Sequence, residues 1–510
     1  MSLQIRARVR ATMDRFGRRF PRAAKFLGFA KRRRKPLTAV FVVAMHIIGF
    51  ILSISAVMAT RTPQGAIAWA ISLNTCPYLA VPAYWAFGDS GMENYFEERA
   101  ARLGEVRPLA DKLIADIDTA SISPDKPSPL IETLATLGSL PVTKGNKVEL
   151  LIDGKNTFRS IFDAIDNAEK YIIVQFFIIR SDGLGNELKD KLVRKAKEGV
   201  RVFMLYDDYG SLDIGDDYVS ELRDAGVAVH SFMNLGGDVN RFQLNFRNHR
   251  KLVIVDGKTA FVGGHNVGDE YLGKHPTLTP WRDSHMRVTG PAVTCMQIPF
   301  AEDWAWATGK LPEDLDWDIK RLAEAAPGPA DAVCVASGPA DRVETCSLFF
   351  QAALHSAKRR IWIASPYFVP DNGFIQALQL AALRGVEVKI LIPELADSQM
   401  PYLSSFSYLE ELEDAGVEVR RYQDGFLHQK VLLVDDDFSA VGSANLDNRS
   451  FRLNFELMLG VSDEAFAAKV EKMLSDDFAK SRLATASDLN SKSGFFKLKV
   501  AVSRLLAPIQ

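Results

Sequence analysis

The sequence predicts an α/β protein whose two similar halves form one bilobed unit, preceded by a pair of membrane-spanning helices. Three observations lead to this fold class. The motif HxKxxxxD occurs twice, beginning at His249 and at His428, at an offset of 179 residues. Strand and helix patterns alternate around both copies of the motif. Two long apolar runs, at residues 37–60 and 65–87, lie near the N terminus.

Residues 1–36 form a basic tail ahead of the apolar runs. Residues 1–35 hold 13 Lys/Arg and one acidic residue, a net charge of +12, whereas the rest of the 510-residue chain carries a net charge of −13. A basic tail on an acidic body fits an anionic membrane surface better than nucleic acid. Apolar residues recur at helical spacing in the tail, which indicates an amphipathic helix at a membrane interface. These residues are Ile5, Val9, Met13, Phe16 and Phe20.

Residues 37–88 are predicted to be two transmembrane helices. Each apolar run exceeds the ~20 residues that cross the hydrocarbon, although Asn74, Pro77 and Pro82 interrupt the second run. A short turn at 61–64 joins the runs into a hairpin, so both ends lie on one side. The basic cluster at 31–35 should keep that side cytoplasmic, which places a multi-pass protein in the cell membrane with its catalytic region facing the cytoplasm. A cleaved signal peptide or a buried core hairpin are the alternatives, and the length of the first run argues against the former.

A Ser/Pro-rich linker at 89–140 separates the hairpin from the two halves, at 141–326 and 327–510. Each half has a strand, a helix and a second buried strand in the same order. The matched strands are 170–179 and 199–205 in the first half, and 360–364 and 385–391 in the second. A helix end also repeats, at 221–227 and 411–417. Because parallel strands joined by helices build α/β layers, the repeat indicates a pseudo-twofold arrangement.

The C-terminal residues show a second amphipathic pattern. Apolar and basic residues alternate there at helical spacing, which is typical of a helix at a membrane interface or of a helix packed on the body. Both interpretations stay open. The residues are Phe495, Leu498, Val502, Leu505 and Leu506, with Lys497, Lys499 and Arg504.

The spacing within the motif separates its histidine and lysine from its aspartate. On a strand, His249 and Lys251 share a face, with Cα atoms ~6.6 Å apart. Asp256 precedes Gly257 in a hairpin turn signal and has the opposite facing, so we expect Asp256, and likewise Asp435, to fix a turn behind the site. His428 and Lys430 should face the site in the same way.

The motif chemistry favours an anionic substrate over a metal ion. A fixed cation beside potential ligands repels a second cation, whereas Lys251 and Lys430 suit the oxygens of a phosphodiester. Asn266 and Asn445 follow Gly/Ser-rich turns and could donate further hydrogen bonds to the phosphate. We therefore expect no metal and no other cofactor.

Two histidines at one phosphate can divide the work of a transfer reaction. One must be neutral to attack phosphorus, and the other must be protonated to release an alkoxide, which predicts a bell-shaped pH–rate profile. A lone histidine on a strand is usually structural, and it is the duplication that favours catalysis. The four cysteines lack the spacing of a zinc site or a disulfide framework, which favours a reducing compartment.

The paired motifs, together with several flanking stretches, resemble the phospholipase D superfamily. Within it, the chain is similar to the bacterial cardiolipin synthases from about residue 37 to the C terminus. The stretches that carry the resemblance are 246–251, 263–271, 281–283, 365–370, 425–428 and 442–450, with 61–63 and 68–69 in the hairpin.

The resemblance implies a phosphatidyltransferase that joins two phosphatidylglycerols into cardiolipin and releases glycerol, without metal or nucleotide. It implies a phosphatidyl-histidine intermediate, with His249 as nucleophile and His428 as acid, whereas the sequence alone leaves these two roles open. Asp283 and Glu456 stand where the superfamily places carboxylates that orient the histidines. The motif positions implied to be catalytic are His249, Lys251, Asp256, His428, Lys430 and Asp435.

Two positions depart from the expected pattern, and rival functions follow from the same motif. Gln175 stands where an acidic residue is expected, and His265 where a small or apolar residue is usual. A membrane phospholipase D or a phosphatidylserine-forming enzyme would use the same residues. A nuclease would too, but the acidic body and the hairpin oppose it. A non-enzymatic scaffold would leave both His–Lys pairs without a role.

Overall fold

The computed structural model describes residues 34–59, 63–88, 122–232, 246–325 and 328–510, with a few isolated positions between 104 and 116. The chain divides near residue 94 into an N-terminal unit and a larger unit that contains both motifs. The expected amphipathic helix at 5–20, most of the basic cluster at 31–35, half of the turn at 61–64 and most of the linker lie outside the described residues.

The described residues of the N-terminal unit contain three helices: α1 (Arg34–Ala59), α2 (Pro63–Thr75) and α3 (Pro77–Phe87). Helix α1 contains a 21-residue stretch, Thr38–Met58, with a mean hydropathy of 2.5. Within the described residues, it is the one helix long and apolar enough to cross a membrane. Both α2 and α3 pack against α1. Gly49 permits this close approach, because a Cβ there would lie 2.2 Å from the carbonyl oxygen of Leu73.

The second predicted span is not one continuous helix. It breaks at Cys76, between α2 and α3, because Pro77 lacks the N–H that would continue the hydrogen-bond ladder. The rings of Trp69 and Tyr84, one on each side of the break, meet edge to face with centroids 5.1 Å apart. Two shorter helices therefore occupy the second apolar run, and its crossing of a membrane stays a prediction.

A 16-stranded mixed sheet organises the larger unit. From one edge its order is β4-β3-β2-β6-β7-β9-β1, and from the other edge β14-β13-β11-β16-β17-β19-β10, with β20 added outside β14. Strands β1 and β10 pair antiparallel where the two runs meet. The strands of the first run, with the short β5 and β8, are β1 (Thr143–Ile152), β2 (Tyr171–Phe176), β3 (Arg201–Tyr206), β4 (Ala228–Ser231), β5 (Arg247–Asn248), β6 (Leu252–Val255), β7 (Thr259–Gly263), β8 (Trp281–Arg282) and β9 (Ser284–Thr289).

The second run repeats this sequence of strands. Its members, with the short β12, β15 and β18, are β10 (Ala330–Ser337), β11 (Arg360–Ala364), β12 (Phe368–Val369), β13 (Glu387–Pro393), β14 (Glu418–Tyr422), β15 (Phe426–Leu427), β16 (Val431–Val434), β17 (Phe438–Gly442), β18 (Leu446–Asp447), β19 (Asn454–Ser462) and β20 (Ser481–Ala484).

Helices cover the sheet, and strands such as β2 and β6 are buried along their whole length. The helices before the second motif are α4 (Pro129–Gly138), α5 (Asp153–Asp166), α6 (Gly183–Lys197), α7 (Asp216–Asp224), α8 (Ala292–Thr308), α9 (Ile319–Ala325), α10 (Thr345–Ser356), α11 (Asn372–Leu383), α12 (Gln399–Ser405) and α13 (Leu409–Glu413). Those after it are α14 (Asn448–Arg452), α15 (Glu464–Ala479), α16 (Ala486–Asn490) and α17 (Gly494–Leu505).

The predicted repeats are found as matched elements. The strands expected at 199–205 and 385–391 are β3 and β13, and each is preceded by a helix. The repeated helix ends terminate at Gly226 and Gly416, whose φ angles of 89° and 84° lie in the left-handed region that glycine adopts without strain. One detail differs. The strand expected at 249–255 is interrupted, because His249–Lys251 separate β5 from β6.

Candidate active site

Two short parallel strand pairs place the motif histidines. Strand β5 pairs with the start of β19, and the backbone N–H of His249 continues that pairing by donating to the carbonyl of Phe455 at 2.9 Å. Strand β15 pairs with β8, and the N–H of His428 donates to the carbonyl of Arg282 at 2.8 Å. Each histidine therefore lies beside a strand from the other part of the sequence.

The imidazole of His249 is held by Glu456. Its Nδ1 lies 2.9 Å from Oε2 and 3.0 Å from Oε1 of that carboxylate. The hydroxyls of Ser443 and Ser450 donate to the same carboxylate at 2.6 and 2.7 Å, and the amide of Asn454 donates at 3.2 Å. Because Nδ1 is engaged, Nε2 is the ring nitrogen left for chemistry.

The imidazole of His428 is held in the same way by Asp283. Its Nδ1 lies 2.7 Å from Oδ2 of the carboxylate. This carboxylate receives one further hydrogen bond, from the N–H of Ser284 at 2.7 Å. The rings of Trp281 and Tyr271 flank His428, with centroids 5.4 and 5.8 Å away. The structure thus joins each predicted histidine to one of the two predicted carboxylates, in crossed pairs.

The motif lysines are buried beside the histidines. The Nζ of Lys251 donates to the main-chain carbonyl of His249 at 2.7 Å, and the Nζ of Lys430 donates to that of His428 at 2.6 Å. An ammonium group has three N–H donors, so each lysine keeps donors for a further acceptor. The positive charges of both lysines act to lower the pKa values of His428 and of the Asp283 carboxyl.

The two dyads differ in electrostatics. Burial lowers the pKa of His249 to about 4, against the opposing attraction of Glu456. Although burial alone would raise it, the contact with His249 and the nearby Lys251 hold the pKa of Glu456 below its usual value. Burial raises the pKa of Asp283 to about 7 and lowers that of His428. The His428–Asp283 dyad therefore retains a proton at a higher pH than the His249–Glu456 dyad.

Burial also lowers the pKa values of the two lysines, Lys251 and Lys430, that of Lys430 to about 8. The carboxylates of Asp283 and Glu456 oppose the effect on Lys430. Lys430 thus stays cationic at neutral pH, next to two histidines that are 8% and 7% exposed. The arrangement can hold an anionic group in a site with little access for water.

The motif aspartates lie away from the dyads, at hairpin turns. Asp256 and Asp435 have φ angles of 54° and 49°, and they follow β6 and β16 directly. The Asp256 carboxylate accepts hydrogen bonds from the backbone N–H groups of residues 169, 170 and 171, at 2.7–3.0 Å. The Asp435 carboxylate accepts the equivalent bonds from residues 358, 359 and 360. Each aspartate ties its hairpin to the start of the neighbouring central strand.

The two asparagines predicted to bind phosphate differ in their contacts. Asn266 accepts from the N–H of Ile178 at 3.2 Å and donates to the hydroxyl of Tyr271 at 2.6 Å, so its amide is already engaged. The N–H of Asn445 donates to the hydroxyl of Ser450 at 3.0 Å. The side-chain oxygen of Asn445 is buried without a hydrogen-bond partner among the described residues.

The two departures from the family pattern lie behind the dyads. Gln175 donates to Asn248 at 3.0 Å and to Asp303 at 2.7 Å, inside a buried polar network. His265 lies with its Nδ1 3.3 Å from Nδ1 of His285, and both rings are buried. Burial lowers the pKa of His285 to about 3 and lowers that of His265 as well, so the two rings stay neutral.

A charged cluster near His249 was not found by sequence reasoning. Asp207 accepts the N–H of Asn248 at 2.8 Å, and the guanidinium of Arg247 lies 4.2 Å from the centre of the Tyr209 ring. Arg449 is close enough to Arg247 for its charge to lower the pKa of that guanidinium, together with burial. The sequence does contain a signal for this cluster. At the motif offset of 179 residues, Arg247 corresponds to Phe426 and Arg449 corresponds to Glu270, so neither arginine has a basic counterpart in the other half. The two motifs therefore lie in different charge environments.

Metal coordination has no cluster to support it in the described part of the chain. No group of three or more His, Cys, Asp or Glu side chains there is arranged to hold a metal ion. The four cysteines are free thiols, three of them buried.

Comparison with known proteins gives one consistent family. A family model described as "Cardiolipin synthase, PLD-like domain" matches residues 161–275 and 350–478. Cardiolipin synthase A of Pseudomonas putida strain GB-1 is 48% identical over 476 residues, which cover 91% of this chain and 97% of that protein. Cardiolipin synthase A of Pseudomonas fluorescens is also 48% identical over 476 residues, with 92% and 97% covered.

Among solved structures, phosphatidylserine synthase of Haemophilus influenzae superposes with a TM-score of 0.59 at 17% sequence identity. The match covers 75% of this chain and 100% of that protein. At this identity the likeness shows a shared fold alone.

Proposed function

The chain belongs to the cardiolipin synthase family with phospholipase D-like domains, and on that basis we propose that it makes cardiolipin from two phosphatidylglycerol molecules with release of glycerol. Its relatives are cardiolipin synthases by name, and the match extends over nine-tenths of the chain. The observation that carries the proposal is the crossed pair of dyads, His249–Glu456 and His428–Asp283, each beside a buried lysine.

His249 is the nucleophile in this proposal. Its lowered pKa keeps the ring neutral at physiological pH, and Glu456 holds the Nδ1 proton so that Nε2 carries the free electron pair. Nε2 attacks the phosphorus of the first phosphatidylglycerol, and the bond between phosphorus and the glycerol oxygen breaks. The product is a phosphatidyl-histidine.

His428 is the general acid. Burial raises the pKa of Asp283 to about 7, so this carboxyl can return a proton to Nδ1 of His428 as the Nε2–H protonates the departing glycerol oxygen. The terminal hydroxyl of a second phosphatidylglycerol then returns a proton to His428 and attacks phosphorus. The phosphorus–nitrogen bond breaks, cardiolipin forms and His249 is restored. One phosphodiester replaces another, so no nucleotide is consumed.

The lysines and Asn445 bind the phosphate, and the motif aspartates support the site from a distance. The remaining N–H donors of Lys251 and Lys430 stabilise charge on the non-bridging oxygens. Asn445 would act through its NH₂ group, the end of the amide that can donate to a phosphate oxygen, whereas Asn266 acts by holding Tyr271 against His428. Asp256 and Asp435 keep the hairpins in register through backbone hydrogen bonds.

Two architectural expectations belong to this proposal. The repeated strand order supports a duplicated unit with a pseudo-twofold axis between β1 and β10. The apolar helix α1, with α2 and α3 packed on it, supports a hairpin anchor in the cell membrane, with both its ends and the catalytic unit on the cytoplasmic side. An anchored enzyme meets lipid hydroxyls at high local concentration, which favours transfer over hydrolysis. Protease protection of terminal tags in intact and opened spheroplasts tests this topology.

The experiment that tests the chemistry compares two leaving groups. Purified full-length protein in detergent micelles is given labelled phosphatidylglycerol, and cardiolipin and glycerol are measured. Variants His249→Ala and His428→Ala are then given a phosphatidyl ester of p-nitrophenol, whose anion leaves without a proton. We expect both variants to fail with phosphatidylglycerol, and only His428→Ala to release nitrophenolate. Release by His249→Ala instead would reverse the two roles, and phosphatidic acid as the sole lipid product would make the protein a phospholipase.

A further inference from the structure

The C-terminal helix α17 carries large apolar side chains that face away from the protein. Five residues that we call the apolar ridge are between 40% and 79% exposed, within 12 residues of chain. At ~100° per residue they fall on one face of the helix and its first following residue. They are Phe495, Leu498, Val502, Leu505 and Leu506.

The opposite face of α17 already holds the helix in place. Val500 is buried, and the hydroxyl of Ser503 donates to the carbonyl of Met400 at 2.8 Å. The ring of Phe496 meets that of Phe406 edge to face at 5.4 Å, and the guanidinium of Arg504 lies 3.7 Å from the centre of the Tyr408 ring. The interpretation as a helix packed on the body therefore holds for this face, and the membrane-interface interpretation concerns the opposite face. None of these packing contacts involves a residue of the apolar ridge.

Basic residues flank the apolar ridge. Residues 491–510 contain four Lys/Arg and no acidic residue, in a body that is otherwise acidic. The Nζ of Lys499 lies 4.8 Å from the centre of the Phe495 ring, and Lys497 is exposed on the other side of the ridge. An apolar stripe between lysines is the pattern of a helix that lies in a lipid interface, where the ammonium groups reach the phosphates.

The C-terminal segment lies at the same edge of the sheet as the dyads. Helix α17 packs on α12, which follows the carboxyl end of β13. After α17, the carbonyl of Gln510 accepts the N–H of Arg449 at 2.8 Å. Arg449 is in α14, whose Ser450 donates to the Glu456 carboxylate. A surface that contacts α17 therefore lies at the same edge of the sheet as the histidines.

We propose that the apolar ridge of α17 inserts into the headgroup region of a bilayer that contains anionic lipid, and that this contact orients the catalytic unit towards its lipid substrate. The inference rests on the proposed function, because it supposes that the substrate is a membrane lipid. A second copy of the chain is a poorer occupant. The ridges of two copies would bring their lysines together, and this repulsion opposes association.

A spin label tests the location of the apolar ridge. The full chain, with Cys76→Ser and Leu498→Cys, is labelled and placed in vesicles of phosphatidylglycerol and phosphatidylcholine. We expect oxygen, which is lipid-soluble, to relax the label more than a water-soluble nickel chelate does. We expect this preference to weaken in pure phosphatidylcholine. A nickel-accessible label, a label shielded from both reagents by protein, or an unchanged preference in pure phosphatidylcholine would each overturn the proposal.

Leu383 provides the matched control. It is 73% exposed and is the last residue of α11. Because α11 leads to the start of β13, Leu383 lies at the edge of the sheet opposite the dyads. A label at Leu383→Cys should be accessible to nickel in both vesicle types. A lipid-exposed label at Leu383 would show that the bilayer contact does not select the α17 side, which also contradicts the proposal.

An activity comparison separates this proposal from the proposed function. In vesicles, Leu498→Gln/Val502→Gln should lower turnover about tenfold, which corresponds to about 1.4 kcal/mol of interfacial binding. In detergent micelles the same variant should match the unaltered protein, and Leu380→Gln/Leu383→Gln should match it in both media. Equal losses in micelles and vesicles would give the ridge a role in folding or chemistry and refute the proposal. If the unaltered protein makes no cardiolipin in micelles, the proposed function fails instead.

Discussion

The Nδ1 atom of His428 lies 2.7 Å from Oδ2 of Asp283, a residue 145 positions earlier in the chain. The corresponding contact of His249 is with Glu456, 207 positions later. Glu456 accepts hydrogen bonds from two serine hydroxyls, whereas Asp283 accepts one from a backbone N–H. The less stabilised carboxylate is the one with the raised pKa, which gives the two dyads different proton affinities.

Asp283→Asn should impair proton donation more than nucleophilic attack. An amide cannot share the extra proton of the dyad, so we expect turnover of phosphatidylglycerol to fall about 10²–10⁴-fold. The p-nitrophenyl ester needs no proton from the enzyme, so its first turnover should fall much less. Single-turnover release of nitrophenolate and of labelled glycerol measures the two effects. Equal losses with both substrates would contradict the assignment of the acid.

Glu456→Gln is the control for that experiment. This carboxylate orients the nucleophile, so its loss should slow the first turnover of both substrates to a similar extent. A variant that lost activity only with phosphatidylglycerol would place Glu456 on the acid side of the reaction.

The pH dependence should be bell-shaped, with limbs set by the two dyads. The pKa of His249 is lowered to about 4, so the nucleophile is neutral above that pH and is lost as pH falls through it. The pKa of Asp283 is raised to about 7, so the acid dyad holds its proton below that pH and loses it as pH rises. We expect kcat/KM in micelles to be highest between these limits. Asp283→Asn should remove or displace the alkaline limb, and an unchanged alkaline limb would assign it to another group, such as Lys430.

Asp256→Asn and Asp435→Asn should reduce stability and leave the chemistry intact. Asparagine tolerates the left-handed backbone at these turns, so the substitution removes mainly the charge that three backbone N–H groups share. We expect a loss of about 1–3 kcal/mol at each site. Thermal unfolding followed by a maleimide dye at the buried Cys295, Cys334 and Cys346 measures it.

The matched control is Asp436→Asn. This neighbouring carboxylate forms ion pairs with Arg359 and Arg360 at a more exposed position, so its loss should cost less than about 1 kcal/mol. A folded Asp256→Asn protein without activity would show that the aspartate takes part in the reaction.

Removal of divalent cations should leave turnover unchanged. Lys251 and Lys430 lie within electrostatic reach of both dyad carboxylates, where a divalent cation would face two fixed ammonium groups. Cardiolipin formation with and without a chelator measures this. Loss of activity that magnesium or manganese restores would contradict it.

The sequence predicted the α/β class, the repeated elements and the residues that form the dyads. The histidines and lysines are predictable because the spacing of the motif is local in the sequence. The carboxylates Asp283 and Glu456 are predicted only by the resemblance to a family. The crossed pairing was not predictable, because it depends on the β5–β19 and β8–β15 pairings between distant parts of the chain. The engagement of Asn266 by Tyr271 is likewise a tertiary contact.

Other differences have local causes in the sequence. Pro77 cannot donate the backbone hydrogen bond that would continue a helix through Cys76, so the apolar run breaks there despite its length. The interruption of the strand at His249–Lys251 arises because His249 pairs with β19, while the next residues return to β6 in the main sheet. The predicted turn at Asp256-Gly257 was confirmed, since both residues have positive φ angles.

The crossed dyads also limit how this protein can be recombined with its relatives. A crossover near residue 328 would inherit His249 and Asp283 from one parent and His428 and Glu456 from the other. Each imidazole would then meet a carboxylate that was selected in a different background. Chimeras joined at that boundary should be inactive more often than chimeras that exchange the segments around β5 and β19, or β8 and β15, as sets. The crossed pairing therefore requires that the paired segments of the two motifs be exchanged together.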